Sequence, residues 1–152
     1  MPDLSNNESA ENIFIIHNGF KTKITYEQIF DFNSFTDLKF VSYKFTANFF
    51  NDTVKKFQSV NFIIGKKNSD LEIFEDEKIK IYIANKENIH DNFFLLANEE
   101  TKRYRVVIGS ISTSPDDFAN FRVDDSKELY DLYLQRFDFL LSHTEIFYDY
   151  YD

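Results

Sequence analysis

Apolar and polar residues alternate with a period of two along Ile79-Lys80-Ile81-Tyr82-Ile83, the pattern of a strand with one face turned to a core. Two further runs read as strands: Leu38-Lys39-Phe40-Val41-Ser42-Tyr43-Lys44-Phe45, and Val60-Asn61-Phe62-Ile63-Ile64, which is closed by Gly65. Between them Thr46 can cap a helix whose Phe49, Phe50, Val54 and Phe57 fall on one stripe. Strand, helix and strand in that order predict a β-α-β unit with a parallel pair and a right-handed crossover. Upstream, Ile13-Phe14-Ile15-Ile16 reads as an edge strand ended by the turn signal His17-Asn18-Gly19. Thr25–Ser34 places Tyr26, Ile29, Phe30 and Phe32 near helical spacing and predicts a short helix, whereas Lys66–Lys78 reads as a charged connection.

The second half begins with a hairpin. Ile89–Leu96 enters on a histidine and runs into Phe93-Phe94-Leu95-Leu96, the polar segment Ala97–Arg103 turns the chain, and Tyr104–Ser112 returns through Val106-Val107-Ile108 to Gly109-Ser110. Ser114–Phe118 predicts a turn and Phe121-Arg122-Val123 a last short strand. Asp125 with Glu128 three residues on fits a capping box for a helix over 126–142. Leu129, Tyr130, Tyr133, Leu134, Phe137 and Leu141 form its packed face.

The expected fold is α/β, a mixed sheet flanked by helices, in a single domain over 12–152 behind a disordered segment 1–11. The 152 residues include 19 Phe and 9 Tyr, with 3 Gly and 2 Pro, so the core is aromatic and long linkers are not expected. There is no cysteine, which removes disulfides, thiolate metal sites and a cysteine nucleophile. No apolar run is long enough to span a bilayer and Met1–Asn12 has no apolar core of a secretion signal, so a cytoplasmic protein without a membrane partner is expected. Lys, Asn, Ile and Phe are abundant, as in AT-rich coding sequences of bacteria or their phages.

The net charge of −9 is concentrated after residue 115, where ten acids face Arg122, Lys127 and Arg136. Nucleic-acid binding draws on basic faces that release counterions, so this balance disfavours nonspecific affinity while leaving a local site open. Asp116-Asp117 and Asp124-Asp125 flank turns and helix starts and lack the spacing of a calcium loop. Neither a metal nor a cofactor is expected.

The order His90, apolar strand, charged turn, apolar strand, Gly109-Ser110 resembles the His-x-Lys … Gly-Ser-x-Asn layout of the phospholipase D superfamily, over about residues 36–145. Val41-Ser42-Tyr43 and Ile64-Gly65 also look like the strand ends that precede the motif there, and Asp124-Asp125 like the acids before its closing helix. The resemblance implies that His90 is the phosphoryl-accepting nucleophile and that Gly109 and Ser110 present backbone N–H groups to an anion. The family's lysine falls on Asn92 and its asparagine on Ser112, which donate hydrogen bonds without positive charge. The family's downstream acid falls near Asn120–Arg122. Arg103 and Arg105 are candidates to replace the lysine in space, and His17 and His143 are expected at the surface.

Three functions follow. The first is a degenerate, catalytically inactive member acting as a dimerising or docking module beside a protein partner, or a covalently linked helicase or nuclease domain. The second is a metal-independent phosphodiesterase or nuclease, in which a homodimer pairs two His90 side chains across a two-fold axis. The third is an acidic inhibitor that imitates DNA and occupies a basic groove.

Overall fold

The computed structural model describes residues 13–17, 20–23, 26–42, 56–65, 78–84, 91–109 and 119–148. They form one nine-stranded mixed sheet with two helices. In chain order the elements are β1 (Ile13–His17), β2 (Phe20–Lys23), α1 (Tyr26–Phe30), β3 (Asp37–Ser42), β4 (Ser59–Ile64), β5 (Ile79–Ala84), β6 (Phe93–Asn98), β7 (Arg103–Ile108), β8 (Ala119–Asp124), α2 (Lys127–Leu141) and β9 (Thr144–Tyr148). Across the sheet the strands run β2-β1-β8-β7-β6-β3-β4-β5-β9.

The α/β class expected from the periodicities holds. β3, β4 and β5 are parallel neighbours, with Phe40 beside Phe62 and Ile63 beside Tyr82. Most of the helix expected after Thr46 lies in residues 43–55, outside the described segments, as does most of the connection Lys66–Lys78; the last residue of its stripe, Phe57, is buried in a bend before β4. β6 and β7 form the expected antiparallel hairpin, from Phe93 opposite Ile108 to Asn98 opposite Arg103. Its turn is the four residues after Asn98. The Asn98 side-chain carbonyl accepts the Glu100 and Thr101 N–H groups, and Lys102 takes a left-handed φ of 58°.

Burial explains why the β6 run is continuously apolar. It is the central strand, with β3 on one side and β7 on the other, so Phe93–Ala97 are covered on both faces. On one face Phe94 meets Phe40 at 4.4 Å and Phe30 of α1 at 5.1 Å between ring centroids, in a core completed by Leu38, Phe62, Ile81 and Val107. On the other, Val41, Ile63, Phe93, Leu95 and Val106 pack against Tyr130, Phe137 and Leu140 of α2.

Three expectations change. Ile13–His17 is not an edge strand: β2 pairs outside it, leaving only Asn18-Gly19 between the two, while β8 lies parallel on its inner side. The strand expected over 121–123 is six residues long and is not the last, because Thr144–Tyr148 adds β9 antiparallel to β5, with a register shift at Ile81/Tyr82. The helix is capped by Ser126, whose Oγ accepts the Leu129 N–H at 3.1 Å, and not by Asp125. Glu128 is therefore the second helical residue, one short of the third position that a capping box needs.

Candidate functional site

β3, β4, β5 and β7 all finish at one end of the sheet, and β6 starts there. The parallel run β3-β4-β5 extends to one side of β3, while the antiparallel β6 lies on the other. The carboxyl ends of β3, β4 and β5 thus lie together beside the start of β6, and carboxyl strand ends are where open α/β sheets form their ligand crevices.

Four residues are stitched together at that end. Ser42, the last residue of β3 and buried, donates its Oγ hydrogen to the Asn92 Oδ1 at 3.1 Å. The Gly109 N–H donates to the Asn92 carbonyl at 2.9 Å, and the Gly65 N–H to the Ser42 carbonyl at 3.1 Å. Gly109 has φ 137°, a conformation open to glycine and costly for a residue with a Cβ. This is the physical reason for glycine at the end of β7. Just outside, Asp91 accepts from Arg136 of α2 at 2.8 and 3.1 Å, so that cation is matched by an acid where the helix crosses the start of β6.

Of the residues singled out in the sequence, Asn92 and Gly109 are brought together. His90, Ser110 and Ser112 lie outside the described residues; in sequence the first precedes Asp91 and the second follows Gly109. Arg105 is elsewhere. It sits opposite Leu96, well along the hairpin from Asn92, and is 8% exposed. Its Nε and Nη2 grip Asp125 at 2.6 and 3.1 Å, and its Nη1 donates to the Gln28 and Ile29 carbonyls at 3.1 and 3.0 Å. The guanidinium also lies 5.3 Å from the Phe35 ring. Its donors tie the end of α1 to Asp125, two residues before α2, rather than facing Asn92. Arg103 is exposed on the same side, 5.5 Å from the Phe35 ring. Arg122, at the position near which the family places an acid, is exposed and pairs with Asp124 at 2.8 Å.

Sequence reasoning did not single out Ser42 as a site residue, nor Asp125 as the partner of Arg105. Ser42 had entered only through the strand end Val41-Ser42-Tyr43, and its further signal was a small polar residue closing the face that carries Leu38 and Phe40. His143 is exposed, as expected, with Nδ1 2.9 Å from the Phe139 carbonyl. Among the described residues no three acids or histidines cluster as metal ligands, and no helix is long and apolar enough to cross a membrane. Comparison with family models and with curated proteins finds no match.

Chemically, the described part of this end is a neutral hydrogen-bonding cluster. It can hold backbone in place and offer amide and hydroxyl groups. An ammonium aimed at a developing phosphoryl charge, a contribution worth a few kcal/mol in such transition states, is not supplied at position 92.

Proposed function

We propose that this chain is a degenerate phospholipase D-like domain that acts as a dimerising or docking module, not as a phosphodiesterase. Its setting would be a protein of nucleic-acid processing or defence. The reading is supported by the arrangement that the resemblance implies: a parallel β3–β4 pair, the β6–β7 hairpin with Asn92 and Gly109 at its open end, and a closing helix after Asp124-Asp125. The observation that carries the inactive half of the reading is the Ser42–Asn92 bond. The residue standing in the lysine position is neutral, and its carbonyl oxygen is taken up by the fold.

The test is cleavage of a chromogenic phosphodiester and of DNA with EDTA present, for the wild type, His90→Ala and the pair Asn92→Lys with Ser112→Asn. The expected outcome is no cleavage by the wild type or His90→Ala. EDTA-resistant wild-type cleavage that disappears in His90→Ala would instead establish a working paired-histidine enzyme and overturn the proposal.

A further inference from the structure

The sheet face on which α2 packs is apolar at one end of β3, β4 and β5 and polar at the other. The strand registers set Val41, Ile63 and Tyr82 side by side, and two residues earlier in each strand Lys39, Asn61 and Lys80 form the next row on the same face. In the first row Val41 and Ile63 are fully buried, in one cluster with Tyr130, Phe137 and Leu140 of α2. The second row lies open: Lys39 and Asn61 are half-buried and Lys80 is exposed. β3 and β4 are interior strands, so this row is not the polar rim of a sheet edge.

The charges of this row are unmatched. Among the described residues neither Lys39 nor Lys80 forms an ion pair. Asp37, the acid on the same face of β3, stands about 7 Å along the strand from Lys39 and accepts from the Thr36 hydroxyl at 3.0 Å. Asn61 donates to the Ser59 hydroxyl at 3.5 Å, a long bond that leaves its amide available. β3 and β5 run about 10 Å apart across β4, so two ammonium groups flank an amide in a straight row. A half-buried ammonium without a counter-charge is a cost that a bound anion offsets.

We infer that the row Lys39–Asn61–Lys80 binds the phosphate backbone of a single-stranded nucleic acid, with Tyr82 stacking on a base. The two lysines meet phosphate oxygens and Asn61 donates between them. Tyr82 follows Lys80 on the same face of β5 and is half-buried, so the exposed part of its ring lies beside the row, and a cationic row next to an aromatic ring is the chemistry of single-strand platforms. An open sheet face suits an extended strand, whereas small ligands take concave sites. The net charge of −9 opposes attraction at long range, so the row acts within about one Debye length, about 10 Å at 0.1 M salt. The affinity therefore falls in the nonspecific class, with a dissociation constant of roughly 10–100 μM. This site is separate from the β6 entry: Lys39 precedes Ser42 by three residues and lies on the other face of β3. It goes beyond the docking reading by naming a ligand.

The test is fluorescence anisotropy of a labelled oligothymidylate of about 20 nucleotides, longer than the stretch one domain covers. Two phosphate contacts predict that log affinity falls against log salt with a slope of about −1.4, at about −0.7 per contact on a single strand. Lys39→Met and Lys80→Met each keep the stem and remove the charge, so each should bring the slope to about −0.7. The double change should abolish binding, and Lys39→Arg/Lys80→Arg should retain it. Tyr82→Leu should weaken binding about tenfold with the slope unchanged. Far-UV circular dichroism and melting establish that each variant is folded. No binding by the wild type at about 50 mM salt, where phosphate contacts are strong, would overturn the inference. So would binding that survives Lys39→Met/Lys80→Met, or pyrophosphate displacing the probe as readily as unlabelled oligothymidylate does. Binding and cleavage are read in separate assays, so this inference and the docking reading fail separately.

Discussion

Replacing Arg105 by alanine removes the guanidinium that joins α1, β7 and the approach to α2, and the cost can be assembled from its contacts. The Ile29 carbonyl loses a buried donor, at about 1–3 kcal/mol for an unsatisfied buried acceptor. The Gln28 bond is only partly buried and counts for less. The Asp125 side chain is 35% exposed and rehydrates when the arginine goes, so the ion pair is discounted to about 1 kcal/mol. Loss of the stem packed over Phe35 adds about 1 kcal/mol. The total is about 4 kcal/mol, a large share of the ~5–15 kcal/mol that a domain possesses. Asp125→Asn, which keeps an acceptor in place, should cost only about 1 kcal/mol. Urea unfolding followed by far-UV circular dichroism and tyrosine fluorescence measures both. With a slope of about 2 kcal/mol per molar, Arg105→Ala should lower the midpoint by about 2 M. A loss under about 1 kcal/mol would refute the reasoning, and would return Arg105 to the list of groups available to a ligand.

Gly109→Ala places a Cβ at φ 137° and should destabilise by about 2 kcal/mol in the same assay, with loss of the Asn92 contact as its local cause. Ser126→Ala should cost about 1 kcal/mol while Glu128→Gln stays within about 0.5 kcal/mol, since the cap is the serine and no box exists; the reverse ranking would restore Asp125 as the cap. The Tyr130 phenol is pushed well above its usual range, first by burial and then by the field of Glu99, and Tyr104 is raised by its hydrogen bond to Glu99. A folded-state value above the unfolded one means the folded chain holds its proton longer. Stability from these groups is therefore complete below about pH 10 and declines as pH rises through the phenol range. Absorbance at alkaline pH should show a late-ionising component that shrinks in Tyr130→Phe and again in Tyr104→Phe; a late component unchanged in Tyr130→Phe would contradict the burial.

Most of the sheet was legible because its strands carry their burial in their periodicity. β3, β4, β5, β6 and β7 each overlap a predicted run and extend one or two residues beyond it, and the four consecutive large apolar residues of β6 are what a strand covered on both faces requires. β2 and β9 were not legible. Phe20-Lys21-Thr22-Lys23 and Thr144–Tyr148 become strands by pairing with β1 and β5, and a four- or five-residue edge strand has no core face long enough to stamp a pattern on the sequence. The cap was misplaced by one residue for a related reason. Asp125 and Ser126 are both good caps locally, and Arg105, twenty residues away, claims Asp125.

The same competition shapes the candidate site. The motif spacing located Asn92 and Gly109 at one end of the hairpin, but what Asn92 does there is decided by β3, fifty residues earlier, whose Ser42 lies within hydrogen-bond reach. Asn92 and Ser42 belong to the sheet face carrying Phe40 and Phe94, where an unmatched charge is expensive and a mutually satisfied pair of neutral groups is not. An ammonium at position 92 is tolerable there only if a bound anion compensates it, which is the condition of a working phosphoryl-transfer site. A neutral residue bonded to Ser42 removes that requirement and lets the carboxyl end of β3 close on itself. The Ser42–Asn92 pair is thus a structural device, which holds the start of β6 against the carboxyl end of β3.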